Sequence, residues 1–458
     1  MPKAVKIGVI GAGSAQFSLG LVRDLILTES LRGSTVCFMD VDAERLNLVY
    51  RLAQRYVNEL GVELHFERSQ ERQAALTDAD FVINTALVGG HVSEEAERGL
   101  SDQHGYYRGV REIPMQRQLH MMLSVARDME RVCPHAWLIQ SSNPVFEGCT
   151  LMTRETGIKV VGLCHGFYGY VGICKVLGID PAEVMWQAPG FNHVIYMTDF
   201  RYRGENAYPL LDEWIANTAE EYWATYRPTY GDTHMSRSAI DQYKRVGLMP
   251  LGDTSRAFTT WWYHTDLATK QYWFGPLGGF DSEIGWQQYL DTLQHKLESI
   301  ARAVRDEHTP LSQALPLKLS GELQLPLIDA LTNDVERIIQ VNVPNNGAIQ
   351  GIPDDVVVEG QAVVSGKGIQ LLQVGKLPET LMMQVMLPRW VLLEQTLSAY
   401  LRGDYHLLRT IVLEYHHSRS VQQADRLIEE MLAMPQNAEI ARRYHRESSP
   451  IGTVLSFT

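Results

Sequence analysis

The chain has 458 residues, 45% of them hydrophobic and 21% charged, which are ordinary globular proportions and not those of a disordered, collagenous or disulfide-scaffold protein. At about 150 residues per domain, this length corresponds to about three domains or two large ones. Forty-one Lys and Arg against 54 Asp and Glu leave a net charge of −13, and without a basic block that balance argues against nucleic acid or an anionic membrane as partner.

The five cysteines, Cys37, Cys133, Cys149, Cys164 and Cys174, are odd in number and follow no framework spacing, which suits a reducing compartment. Residues 1–6 run straight into a strand-like segment without the apolar region of a signal peptide. No stretch of about 18 apolar residues points to a membrane span. The expectation is a soluble cytoplasmic protein.

Residues 6–10 form a short apolar run of buried-strand type, followed by the turn Gly11-Ala12-Gly13-Ser14. Beyond it Phe17, Leu21, Val22, Leu25 and Ile26 recur at the helical period. Further buried-strand candidates are residues 35–40, ending on Asp40, then 81–84, 136–140 and 159–163. Strands alternating with helices at these distances predict an α/β protein built on a Rossmann-like doubly wound parallel sheet, with ligands gathered at the C-terminal strand ends. After about residue 195 the alternation stops. Residues 212–226, 289–305, 380–400 and 421–434 read as helices, and 341–364 as strand and turn. The expected division is therefore an NAD-binding domain over 1–195 and an α+β catalytic and oligomerisation domain over 196–458.

Gly11 permits the tight turn between strand and helix, and Gly13 lets the backbone approach a pyrophosphate at the helix N-terminus. Asp40 stands where an acid can hold a ribose 2′-hydroxyl, favouring NAD over NADP. The third glycine of the common fingerprint is replaced by Gln16. Three more segments fall near predicted strand ends: Ser141-Ser142-Asn143-Pro144, Gly162-Leu163-Cys164-His165-Gly166 and Gly190-Phe191-Asn192-His193. Cys164 and His193 lie too far apart in sequence for a local metal-ligand spacing, and by themselves such residues are ordinarily structural.

Taken together, these motifs resemble glycoside hydrolase family 4, the NAD- and divalent-metal-dependent glycosidases. The resemblance rests on Gly11 to Ser14, Asn143-Pro144, Cys164 after Gly162-Leu163, Asn192-His193, and the run from Val341 through Asn345-Asn346-Gly347 to Pro353-Asp354-Asp355-Val356-Val357-Val358-Glu359. It implies Cys164 and His193 as ligands of a metal, usually Mn²⁺. It implies Asn143 near the cofactor, metal and sugar hydroxyls, and Asn192 and Arg256 at the substrate. Asp253, in Gly252-Asp253-Thr254-x-Arg256, resembles the base of some members, with Tyr243 and Tyr263 in reserve because others use a tyrosine. Without the resemblance Asp253 reads as a turn acid. His165 takes the place of an aspartate common after the metal-binding cysteine, and can serve as leaving-group acid or line the sugar pocket.

The chemistry so implied is unusual among glycosidases. NAD⁺ removes hydride from C3 of the sugar, a base takes the acidified C2 proton, the aglycone leaves C1, water adds, and NADH reduces C3 again. The Cys-His-Gly sequence at residues 164–166 is similar to the branch acting on α-galactosides and α-hexuronides, so an α-glucuronidase or α-galacturonidase is expected. Leu87 stands where several phosphoglycosidases carry an arginine, which tells against a 6-phosphate. Arg108, Arg111 and Arg256 are candidates for a uronate carboxylate, and Trp261, Trp262 and Trp273 for sugar stacking, although each also suits a structural role. The alternatives are another glycosidase of the family (α-galactosidase, α-glucosidase or 6-phospho-glycosidase), an NAD-dependent hydroxy-acid dehydrogenase, and an inactive dinucleotide binder. A homodimer or homotetramer is also implied by the resemblance.

Overall fold

The computed structural model describes residues 3–256 and 258–444. Six parallel strands come first: β1 (Lys6–Ile10), β2 (Thr35–Met39), β3 (His65–Ser69), β4 (Phe81–Asn84), β5 (Trp137–Gln140) and β6 (Lys159–Gly162). The chain then adds β7 (Val184–Gln187), β8 (Gly190–Phe191), β9 (Val194–Tyr196), β10 (Asp199–Tyr202), β11 (Glu205–Asn206), β12 (Pro250–Leu251), β13 (Arg337–Pro344), β14 (Val357–Ser365) and β15 (Gly368–Leu371). The first six lie in the order β3-β2-β1-β4-β5-β6, the doubly wound arrangement anticipated for dinucleotide binders. β1, β2 and β4 are buried almost throughout, as parallel strands covered on both faces must be. β3 was not foreseen, because only Phe66 of its five residues is buried and its charged edge reads as loop.

The sheet does not end at β6. β13 pairs antiparallel with it at Asn342 and Gly162, and β14, β8, β9 and β12 follow in one continuous sheet. The expected boundary at 195/196 therefore runs through β9. The described residues of Met1–Leu87 and Leu123–Leu381 form one compact unit, and those of Val88–Met122 and Met382–Thr458 another. The physical reason lies in the packing of late segments on early ones. The helix Ala43–Leu60 starts at Asp42, whose carboxylate accepts from the N–H groups of Glu44 and Arg45, and ends at Gly61 in the left-handed conformation. From it Arg55 reaches the carbonyls of Ala303, Asp306 and Thr309 at 2.5, 2.9 and 3.0 Å, closing the end of the helix Glu283–Arg305. One hydrophobic core holds Val9, Phe38 and Ile83 together with Ile300, Leu327, Val341 and Val364.

Two predicted helices are interrupted. Residues 212–226 fall in two helices, Tyr208–Asn217 and Ala219–Thr225, broken at Thr218. Residues 382–386 make a π-helical turn before the helix Leu387–Arg402, because Pro388 lacks the N–H that a regular helix needs there. The second unit is helical, and its interior pairs Arg117 with Glu97 and Asn437. Tyr415 Oη donates there to both oxygens of Glu112 at 2.7 and 2.6 Å. Burial pushes that carboxyl up to about 7. No helix among the described residues is long and apolar enough to cross a membrane, and all five cysteines are unpaired.

Candidate active site

The turn after β1 is shaped by close approach. Gly11 has φ +82°, and a Cβ there would lie 2.5 Å from Ala86 Cα; one on Gly13 would lie 2.7 Å from Arg45 Cβ. The N–H groups of Gly11 and Ala12 both donate to Met39 O, at 2.9 and 3.0 Å. Asp40 follows directly on β2, its Oδ2 accepting from Gly13 N at 2.8 Å and its Oδ1 from Asp42 N at 2.9 Å. Gln16, in the third glycine's place, accepts from Lys296 Nζ at 3.0 Å. A turn packed too closely for any Cβ at Gly11 or Gly13, leading into the helix Ser18–Leu27 with an acid at the next strand end, fits a dinucleotide.

At the ends of β4 and β5 the side chains form a relay. Asn84 Nδ2 donates to Gln140 Oε1 at 2.9 Å, and Gln140 Nε2 donates to the carbonyl and hydroxyl of Ser142 at 2.7 and 2.8 Å. This relay sets the loop carrying the exposed Asn143, which is joined to Pro144 by a cis peptide bond.

A second cluster lies beyond β6. Cys164 Sγ accepts from Gly166 N at 3.4 Å. Burial pushes the thiol up, and the carboxylates of Glu359 and Asp253 push it the same way. Asn192 and His193 form the two-residue turn of the β8–β9 hairpin, in which Gly190 faces Ile195 and Phe191 faces Val194. His193 has φ +63°, a region costly for most side chains. Its Nε2 lies 3.5 Å from Asp253 Oδ2. Asp253 Oδ1 in turn lies 2.8 Å from Arg256 Nη2, and Arg256 Nη1 lies 2.6 Å from Asp281 Oδ2. Burial works to raise the Asp253 carboxyl, but Arg256 and His193 outweigh it and hold it at about 2. His165 is exposed, with Nδ1 3.4 Å from Glu322 Oε1, and that contact lifts the imidazole above its ordinary value.

Several expected roles change on this geometry. Asn192 is buried and its Nδ2 donates to Glu359, so that donation is already in use. Arg256 is spent on two carboxylates and stacks on Phe280 at 4.7 Å, because a buried guanidinium must be neutralised locally. Asp253 is ion-paired through both oxygens, to Arg256 and His193. Tyr263 Oη donates to Asp241 at 2.5 Å, and Tyr243 Oη donates to Asp212 at 2.8 Å. Arg108 belongs to the other unit, where it lies 3.7 Å from Asp102, and Arg111 belongs there too. Trp261 and Trp262 are exposed, and Trp273 meets Tyr263 edge-on at 4.6 Å.

Among the described residues, no three His, Cys, Asp or Glu are grouped as a ready metal cage. The Cys164 and His193 pair would suit an open catalytic site, in which sugar and water would supply the remaining ligands. The buried carboxyl of Glu359 and the half-buried carboxylate of Asp253 both face the thiol, a surrounding that favours a cation at the sulfur. One of these carboxyls, Glu359, was missed as a site residue. It ends the run Val356-Val357-Val358, and an acid inside an apolar strand was the available signal. Burial pushes it up to about 7.

A family model described as family 4 glycosyl hydrolase matches residues 6–178, and a second, described as the C-terminal domain of that family, matches residues 188–415. The chain is 28% identical over 402 residues to a protein of Bacillus subtilis named probable 6-phospho-beta-glucosidase, covering 82% of this chain and 84% of the relative. It is 25% identical over 460 residues to an alpha-galacturonidase of Thermoanaerobacterium saccharolyticum, covering 93% and 95%. A 6-phospho-alpha-glucosidase from gut microorganisms, solved in complex with NAD and Mn²⁺, matches with TM-score 0.74 at 17% identity, over 94% of this chain and 98% of that one.

Proposed function

This chain belongs to glycosyl hydrolase family 4, and on that premise we propose that it is an NAD- and divalent-metal-dependent glycosidase cleaving an α-hexuronide, either an α-galacturonide or an α-glucuronide. The observation that carries the reading is the meeting of Cys164, His193 and Asp253 at the same C-terminal sheet edge as the Gly11–Ser14 turn. Gly11, Gly13, Ser14 and Asp40 would hold the dinucleotide, Cys164 and His193 would hold the metal, and Asn143 would contact the cofactor and the sugar hydroxyls. When bound, the nicotinamide lends and recovers a hydride and the divalent ion supplies Lewis acidity, with no net redox change.

The chain's own residues then divide the remaining work. Asp253, ionised at about 2, keeps negative charge beside His193 and accepts a proton at its carboxylate. Arg256 and Asp281 hold that carboxylate in place. His165, its imidazolium favoured by Glu322, carries a proton toward the leaving-group oxygen. The galacturonidase relative, which aligns over nearly the whole of both chains, supports the uronide. Leu87 also supports it, since it offers no charge to a 6-phosphate. The more identical phospho-beta-glucosidase relative favours a second reading, a 6-phosphoglycoside. A cytoplasmic compartment goes with the proposal, because a thiolate ligand is lost on oxidation, as does a homodimer or homotetramer.

The test is aryl release from p-nitrophenyl α-D-galacturonide and α-D-glucuronide with NAD⁺, Mn²⁺ and thiol present, each omitted in turn. Release that needs both cofactors without NADH accumulation is the expected result. Release from a 6-phosphoglycoside alone overturns the uronide, and stoichiometric NADH overturns the glycosidase.

A further inference from the structure

Glu359 has no part in the reaction described above, yet it occupies a costly position. It sits in the middle of the sheet on β14, 1% exposed, directly opposite Asn342 on β13 and opposite Gly190 at the root of the β8–β9 hairpin. Its hydrogen-bond partners are two side-chain amides. Oε2 accepts from Asn192 Nδ2 at 3.0 Å and Oε1 accepts from Gln340 Nε2 at 3.4 Å. The Asn192 side chain also bears on the Cys164 thiol, opposing the effect of burial there. One side chain is thus bound to a buried carboxyl and set beside the sulfur that would ligate the metal, and the next residue along is His193, the other proposed ligand.

We propose that Glu359 is a positioning residue for the metal site, holding Asn192 so that the Asn192–His193 turn presents the imidazole and the Cys164 sulfur together. The inference rests on the reading of Cys164 and His193 as metal ligands. The turn needs such a hold, because His193 sits at φ +63° without the freedom of a glycine. A carboxylate suits the place better than an amide would. It offers only acceptors to two converging donors, whereas glutamine would turn its own NH₂ toward Asn192 or Gln340 and leave a buried clash of donors. Outer partners of this kind orient metal ligands and set their affinity.

The test is Mn²⁺ binding to the full-length protein without substrate, read by the paramagnetic signal of free Mn²⁺, with the thiolate-to-metal absorption of the Co²⁺ form as a second readout. Glu359→Gln is expected to weaken Mn²⁺ binding about 10–100-fold and to alter the thiolate band. Asn192→Ala is expected to do the same, and the double variant should be no weaker than either single one. Gln340→Met, which removes a different donor to Glu359, is expected to leave the affinity within about twofold of wild type. Equal affinity in wild type and Glu359→Gln overturns the inference, as does equal weakening by Gln340→Met, which would indicate general loosening of the network. Should Glu359→Gln not fold, Asn192→Ala with unchanged affinity overturns it alone. Failure of the wild type itself to bind Mn²⁺ or Co²⁺ overturns the metal reading instead.

Discussion

Asp253 and Glu359 bear on the same thiol, Cys164, from two different parts of the chain, and the protein treats their charges in opposite ways. Asp253 lies on the short 3₁₀ turn Gly252–Arg256, where Arg256 and His193 hold it at about 2 against the effect of burial. Glu359 lies inside a strand among amides, and burial carries it up to about 7. A guanidinium in contact fixes an ionised acid, whereas neutral amides only accommodate one. The turn is therefore built to keep a permanent negative charge, and the strand is built to hold a shape.

The harshest way to break this contrast is to remove the cation. Arg256→Met leaves Asp253 and Asp281 without their shared partner, and is expected to cost about 3–5 kcal/mol, measured by chemical denaturation. A loss under about 1 kcal/mol would mean that Arg256 does not govern the turn. Asp253→Asn keeps the Arg256–Asp281 pair, so kcat is expected to fall about 10²–10⁴-fold while the protein stays folded. An unchanged kcat would remove Asp253 from the reaction.

A milder comparison uses a third buried acid. Glu112 repeats the state of Glu359 in the other unit, raised from 4.5 to about 7 by burial. Between those values the unfolded chain has released the proton and the folded chain still holds it. Stability is therefore expected to fall as pH rises through that window. Glu112→Gln should flatten the slope, and a slope identical to wild type would show that another group sets it. The smallest effect belongs to Asp42, an exposed carboxylate with a purely local task. Asp42→Ala removes its bonds to Glu44 and Arg45 and is expected to cost about 1 kcal/mol, seen as a shift in the denaturation midpoint.

Legibility in the sequence follows the distance over which each feature is built. The Gly11–Ser14 turn could be read because strand, turn, helix and Asp40 lie within one βαβ unit, so their order implies their geometry. β13 and β14 could be read as strand and turn around Pro344-Asn345-Asn346-Gly347. Their place beside β6 could not, because pairing across such a sequence separation leaves no local periodicity. The same limit hid the division into units: Arg55 binds carbonyls about 250 positions away, and nothing near Arg55 announces it.

In the candidate site the residue types were visible and their commitments were not. Asn192, Arg256 and Asp253 were found by motif, which reports that a side chain is present but not whether its donors and charges are already in use. Sequence alone determined the doubly wound sheet and the glycine turn after its first strand, since each is carried by a short run whose physics is local, whereas Cys164 and His193 were named as a pair only through the family resemblance. Only the tertiary structure decided that Arg256 neutralises two carboxylates and that Glu359 holds Asn192. Hydrogen bonds and ion pairs are settled by which groups burial brings within about 3 Å, and in this protein burial joins Asn192 to Glu359 across 167 positions.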